Sequence, residues 1–126
     1  MYTAIVEATF QASHRVKLPD GSLEPVHAHD WVVRAHFRTP ELDDKDMVVD
    51  FCAVQQALAE VTAPLSGRNL NELPEFRGRT PTAELVARHI FDRLDGRGLK
   101  TLLRVEVTEA QGCVAAFERG ADSDRF

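Results

Sequence analysis

The chain predicts a single α+β domain: a four-stranded antiparallel sheet with two helices on one face, in the order β-β-α-α-β-β. Three observations predict it. Apolar and polar residues alternate over residues 2–12, 26–38, 101–109 and 113–118, the period of half-buried strands. Apolar residues recur at helical spacing after Asp50 and again after Pro81. Strands grouped toward the ends and helices grouped in the middle fit helices layered on an antiparallel sheet.

In the first strand Tyr2, Ala4, Val6, Ala8, Phe10 and Ala12 share one face. The segment KLPDGSLEP is a loop, because Pro and Asp-Gly favour turns. In the second strand His27, His29, Trp31, Val33, Ala35 and Phe37 share a face. Asp50 is placed to cap a helix whose stripe is Phe51, Val54, Leu58, Val61 and Leu65. The connection 66–80, SGRNLNELPEFRGRT, is long enough to suggest function. Pro81 suits the first turn of the second helix, with Ala83, Val86, Ala87, Ile90, Phe91 and Leu94 as its stripe. Leu103, Val105, Val107 and Glu109 share a face of the third strand, and CVAAFE makes the fourth. The domain is expected over 1–120, with 121–126 a polar tail. One such sheet leaves two edges and a face open, which predicts oligomerisation.

Composition excludes several classes. Lys plus Arg number 15 against 20 Asp plus Glu, a net charge of −5, which argues against nucleic-acid binding. No apolar run is long enough to span a membrane. The start MYTAIVEATF lacks the pattern of a secretory signal, so a cytoplasmic protein is expected. Cys52 and Cys113 form no CxxC, and both are expected as buried apolar residues rather than as a disulfide or a nucleophile.

The stretch VHAHDW carries the chemistry. Residues i and i+2 of a strand point the same way, about 6.5 Å apart, so His27 and His29 can converge on one ion. An unmetallated aromatic row is the other reading of the pair. His14 follows the first strand, and hairpin pairing brings it to the start of the second. Three histidines with an open fourth position are the layout of a catalytic zinc site. His36 falls on the opposite face and His89 off the helix stripe, so both are expected in solvent.

FQASHRV, HAHDW, MVVDF, LNELPEFRGRTPTAE and VTEAQG together resemble the 6-pyruvoyl-tetrahydropterin synthase and 6-carboxytetrahydropterin synthase family, in its order and spacing, over about residues 4–118. The resemblance implies the tunnelling fold (T-fold), with subunits joined into a trimeric barrel or a hexamer and sites between them. It implies Zn2+ on His14, His27 and His29. It also implies a zinc-dependent lyase acting on a dihydropterin such as 7,8-dihydroneopterin triphosphate. Glu109 would anchor the pterin, since a carboxylate accepts two parallel N–H bonds. Thr108 and Asn71, within the matching Thr-Glu and Leu-Asn motifs, fall with it as substrate-binding positions. Arg15 and loop arginines 68, 77 and 79 are candidates for an anionic substituent.

The departures are chemical. Ala28 replaces the glycine of the family's His-Gly-His. Leu23 stands where the family has its catalytic cysteine, and Ser66 and Gly67 where it has an Asp-His dyad. None of the three can shuttle the proton. Glu24, in Glu-Pro-Val-His, resembles a branch with a Glu-x-x-His-Gly-His motif that makes 6-hydroxymethyl-dihydropterin. Glu24 is then a general base, or else a plain loop carboxylate. A zinc- and pterin-binding barrel with altered substrate or no catalysis is the remaining alternative.

Overall fold

The computed structural model describes residues 1–120; the polar tail expected at 121–126 lies outside the described residues. Strands β1 (Tyr2–His14) and β2 (His27–Thr39) precede helices α1 (Phe51–Thr62) and α2 (Ala83–Asp95). Strands β3 (Leu102–Ala110) and β4 (Cys113–Glu118) follow. The sheet runs β1-β2-β3-β4, every neighbouring pair antiparallel, so the expected architecture and order are those found.

The period-two patterns set the core face. Val6 and Phe10 of β1, Trp31, Val33, Ala35 and Phe37 of β2, and Val105 and Val107 of β3 are all buried. Val54, Leu58 and Val61 of α1 and Val86, Ile90 and Leu94 of α2 are buried with them in one core cluster. Trp31 is fully buried, and its indole N–H donates to the Ala12 carbonyl at 3.1 Å, so its polar atom is satisfied. Among the described residues no helix is long and apolar enough to cross a membrane.

Several local expectations are corrected. Asp50 does cap α1, accepting from the Cys52 and Ala53 N–H groups. The buried stripe starts only at Val54, however, so the first turn projects clear of the core: Phe51 is 54% exposed and Cys52 is exposed too. Cys113 is likewise exposed, on an edge strand. Pro81 lies just before α2 rather than in its first turn, because Thr82 is the cap and accepts from Leu85 N–H at 3.3 Å. In β3 a register shift opposite His36 and Phe37 turns Leu102 into the core in place of Leu103.

The long connection is ordered by two short 3-10 turns, Leu70–Glu72 and Pro74–Phe76, with Leu70 and Phe76 buried as anchors. Ahead of them the chain runs beside β1. Gly67 N–H donates to Gln11 O at 2.7 Å, and Ser13 N–H donates to Arg68 O at 2.9 Å. Gly67 has φ +74°, a backbone that favours glycine. The site end of the β1 edge is thus covered by its own chain.

Candidate metal and substrate site

β1 runs two residues beyond the expected strand, to His14, which sits directly opposite His27 in the ladder; Ala12 sits opposite His29. The strand pairing therefore gathers the three histidines. Their ring centroids are 4.8, 5.2 and 4.6 Å apart, and one ring nitrogen of each lies within 4.8 Å of the other two. Trp31 backs the group, 4.9 Å from His14 and 5.8 Å from His29.

Backbone carbonyls fix which nitrogens are available. His14 Nδ1–H donates to the Pro81 carbonyl at 2.8 Å, and His27 Nδ1–H to the Pro25 carbonyl at 3.0 Å. These bonds assign the tautomers and leave Nε2 as the lone-pair atom on both rings. His14 Nε2 and His29 Nε2 are shut away from solvent and make no hydrogen bond. A buried polar atom without a partner costs about 1–3 kcal/mol. A divalent cation accepting all three lone pairs removes that cost, so the donor set fits a metal held by three histidines with an open position. Burial, first of all, holds the His29 imidazole below its ordinary pKa; Glu109 opposes this, while His27 and His14 add to it. The neutral form is the one that binds a metal.

Carboxylates surround the histidines. Glu109 Oε1 is 2.7 Å from His14 Nε2 and 4.0 Å from His29 Nε2. Glu24 Oε1 accepts from Val16 N–H at 3.0 Å and lies 3.6 Å from His27 Nε2. The Glu24 N–H in turn donates to Val16 O at 3.1 Å, so the carboxylate is held by its backbone rather than free on a loop. Glu24, His27, His29, Thr82, Glu84 and Glu109 line a cavity of about 280 Å³. A second cavity of about 220 Å³ shares Glu84 and Glu109 with it and adds Cys113. Sequence reasoning misses Glu84. The available signal is its place in the first turn of α2, where the helix dipole favours a carboxylate.

Other expected site residues lie elsewhere. Thr108 alternates with Glu109 and so faces the other side of the sheet, where it lines neither cavity. Asn71 spends its amide on the backbone of Arg15, accepting from its N–H at 2.8 Å and donating to its carbonyl at 3.1 Å. Arg15 itself lines neither cavity. Leu23 is half exposed, bridged to Lys17. Ser66 and Gly67 lie along the edge of β1 away from β2. His36 is not solvated: its Nε2 sits 2.9 Å from Glu106 Oε1, both partly buried. His89 is half-buried against Phe76, with ring centroids 5.4 Å apart.

The fold and this site define a tunnelling-fold domain with a three-histidine centre. The chain belongs to the 6-pyruvoyl tetrahydropterin synthase family, whose model matches residues 3–120. It is 28% identical over 123 residues to a 6-carboxy-5,6,7,8-tetrahydropterin synthase of Synechocystis, covering 92% of this chain and 91% of the relative. The solved 6-pyruvoyl tetrahydropterin synthase of Caenorhabditis elegans superposes with a TM-score of 0.82 at 21% identity, covering 94% of this chain and 96% of that one. A Plasmodium vivax 6-pyruvoyltetrahydropterin synthase, solved as a glutamate-to-alanine mutant of a catalytic residue, gives a TM-score of 0.69 at 14% identity, covering 94% and 97%.

Proposed function

We propose that this chain is a zinc-dependent lyase acting on a dihydropterin such as 7,8-dihydroneopterin triphosphate, with Glu24 as its general base. The observation that carries the reading is the convergence of three histidines, two with unpartnered buried nitrogens, beside a cavity that His27 and His29 line together with Glu24. Zn2+ on His14, His27 and His29 would acidify a side-chain hydroxyl of the substrate. Glu109 offers its carboxylate to the pterin edge. Glu24 takes the proton from the 2′-hydroxyl of the side chain. The C1′–C2′ bond then breaks, C2′ leaves as an aldehyde, and the proton returns to C1′. The product is 6-hydroxymethyl-dihydropterin, and no oxidant or reductant is consumed.

Leu23, which cannot accept a proton at the place of the family cysteine, supports this role for its neighbour Glu24. The second reading is a 6-pyruvoyl- or 6-carboxy-tetrahydropterin product, favoured by the Synechocystis relative. The working form is a homo-oligomer, a trimer or hexamer, with sites between subunits. The open β4 edge and the uncovered length of β1 support that.

The test is to incubate zinc-loaded protein with dihydroneopterin triphosphate and follow the pterins by mass spectrometry beside His27→Ala. A hydroxymethyl-pterin that vanishes in the variant is expected. A pyruvoyl- or carboxy-pterin would move the chain to the second reading. No turnover would leave a binding barrel and overturn the lyase.

A further inference from the structure

The position of Glu109 is not explained by substrate anchoring alone. Its Oε1 lies 2.7 Å from His14 Nε2, yet the nitrogen makes no hydrogen bond there. The reason lies on the other side of the ring. His14 Nδ1 carries the proton that it gives to the Pro81 carbonyl. Nε2 therefore turns a lone pair toward a carboxylate oxygen, and two electron-rich atoms meet in a pocket where His14 is fully buried. The same oxygen is 4.0 Å from His29 Nε2, the other unpartnered nitrogen of the three clustered histidines. Either a proton shared as an imidazolium–carboxylate pair or a metal ion relieves such a contact, and here a second histidine nitrogen without a partner faces the same oxygen, which favours the metal. A tetrahedral zinc with bonds of about 2.0–2.1 Å holds neighbouring ligand atoms about 3.4 Å apart. The two observed separations bracket that edge.

We infer that Glu109 is the fourth ligand of the metal when no substrate is bound, and that it leaves the metal to hold the pterin. Glu109 is suited to the exchange. Its side chain is 26% exposed, against none for His14, so it borders the cavity and has room to turn. It stands at the end of β3, next to the turn into β4, rather than in the middle of the ladder. The resting site would then be closed to small anions, and entry of the pterin would open it. This rests on the zinc reading of the histidines but not on the identity of the reaction.

The test uses the full chain loaded with Co2+, whose visible absorption reports coordination. Thiocyanate is the probe for an open position. The wild type is expected to keep its spectrum in millimolar thiocyanate, while Glu109→Gln shifts. Chelator competition should show zinc binding weakened at least tenfold in Glu109→Gln and less in Glu109→Asp, which keeps a shorter carboxylate. Circular dichroism shows that each variant is folded, and the wild-type titration needs no variant at all. A wild type that takes thiocyanate freely, or a Glu109→Gln with unchanged zinc affinity, would overturn the inference and leave Glu109 as an anchor only. Failure of wild-type protein to bind Co2+ or Zn2+ would remove the metal reading itself. Metal spectra as expected with no pterin turnover would keep this inference and sink the lyase.

Discussion

His29 and His89 share more than their residue type. Both are half-buried, and in both burial is the main force holding the imidazole below its ordinary pKa. His89 even borders the larger cavity, a groove of about 440 Å³ between α1 and α2, against about 280 Å³ beside His29. Yet their surroundings differ in kind. His29 points an unpartnered nitrogen at two other histidines. His89 packs on Phe76 among Glu75, Asp92 and Arg93, with no second histidine in its groove. A depressed pKa and a large cavity thus describe both places, and only one can hold an ion. The convergence of lone pairs marks the site; size and titration do not.

The largest effect that can break this contrast is metal loss. His27→Ala should weaken zinc binding more than a hundredfold by chelator competition, because one of three nitrogen donors is gone. His89→Ala should leave zinc affinity unchanged. Equal effects would erase the distinction.

Next come the aromatic supports. Trp31 backs the His14 and His29 rings, and Phe76 backs His89. Truncating either to alanine should cost about 3–5 kcal/mol in chemical denaturation, since both are buried. Only Trp31→Ala should also lower zinc affinity in the fraction that remains folded.

The smallest effect is the pH dependence of the groove. Desolvation and then Arg93 lower the His89 pKa, against Glu75 and Asp92, which raise it. The folded chain therefore prefers neutral His89. Its contribution to stability is present above the unfolded value of about 6.5 and is lost as pH falls through the lowered folded value. The wild-type melting temperature should fall relative to that of His89→Gln between pH 7.5 and 5. A wild type that gains on the variant on acidification would contradict the assigned direction.

Much of this was legible in the sequence because period and pairing are local rules. Alternation placed four strands, and Asp50 announced the start of α1. A hairpin between the first two strands was enough to bring His14 to His27. What escaped depended on partners far along the chain. The carbonyl that sets the His14 tautomer belongs to Pro81, a contact no periodicity encodes. The shift that buries Leu102 instead of Leu103 arises where β3 meets β2. Phe51 and Cys52 fit the helical stripe by spacing, but spacing does not tell where the core ends. His36 falls on the outer face as expected, yet Glu106 on the neighbouring strand covers it. Asn71 sits in a recognisable motif, and only the structure shows its amide bound to the backbone of Arg15.

The central claim is that the metal half of the family site is kept while Glu24 takes over the proton. Glu24→Gln tests it most directly, with zinc content and product formation from dihydroneopterin triphosphate measured on the same sample. The account predicts one zinc per chain in both proteins and a fall of about 10²–10⁴ in kcat for the variant, the range for loss of a general base. Full zinc content with unchanged turnover would contradict it and send the search for the base elsewhere.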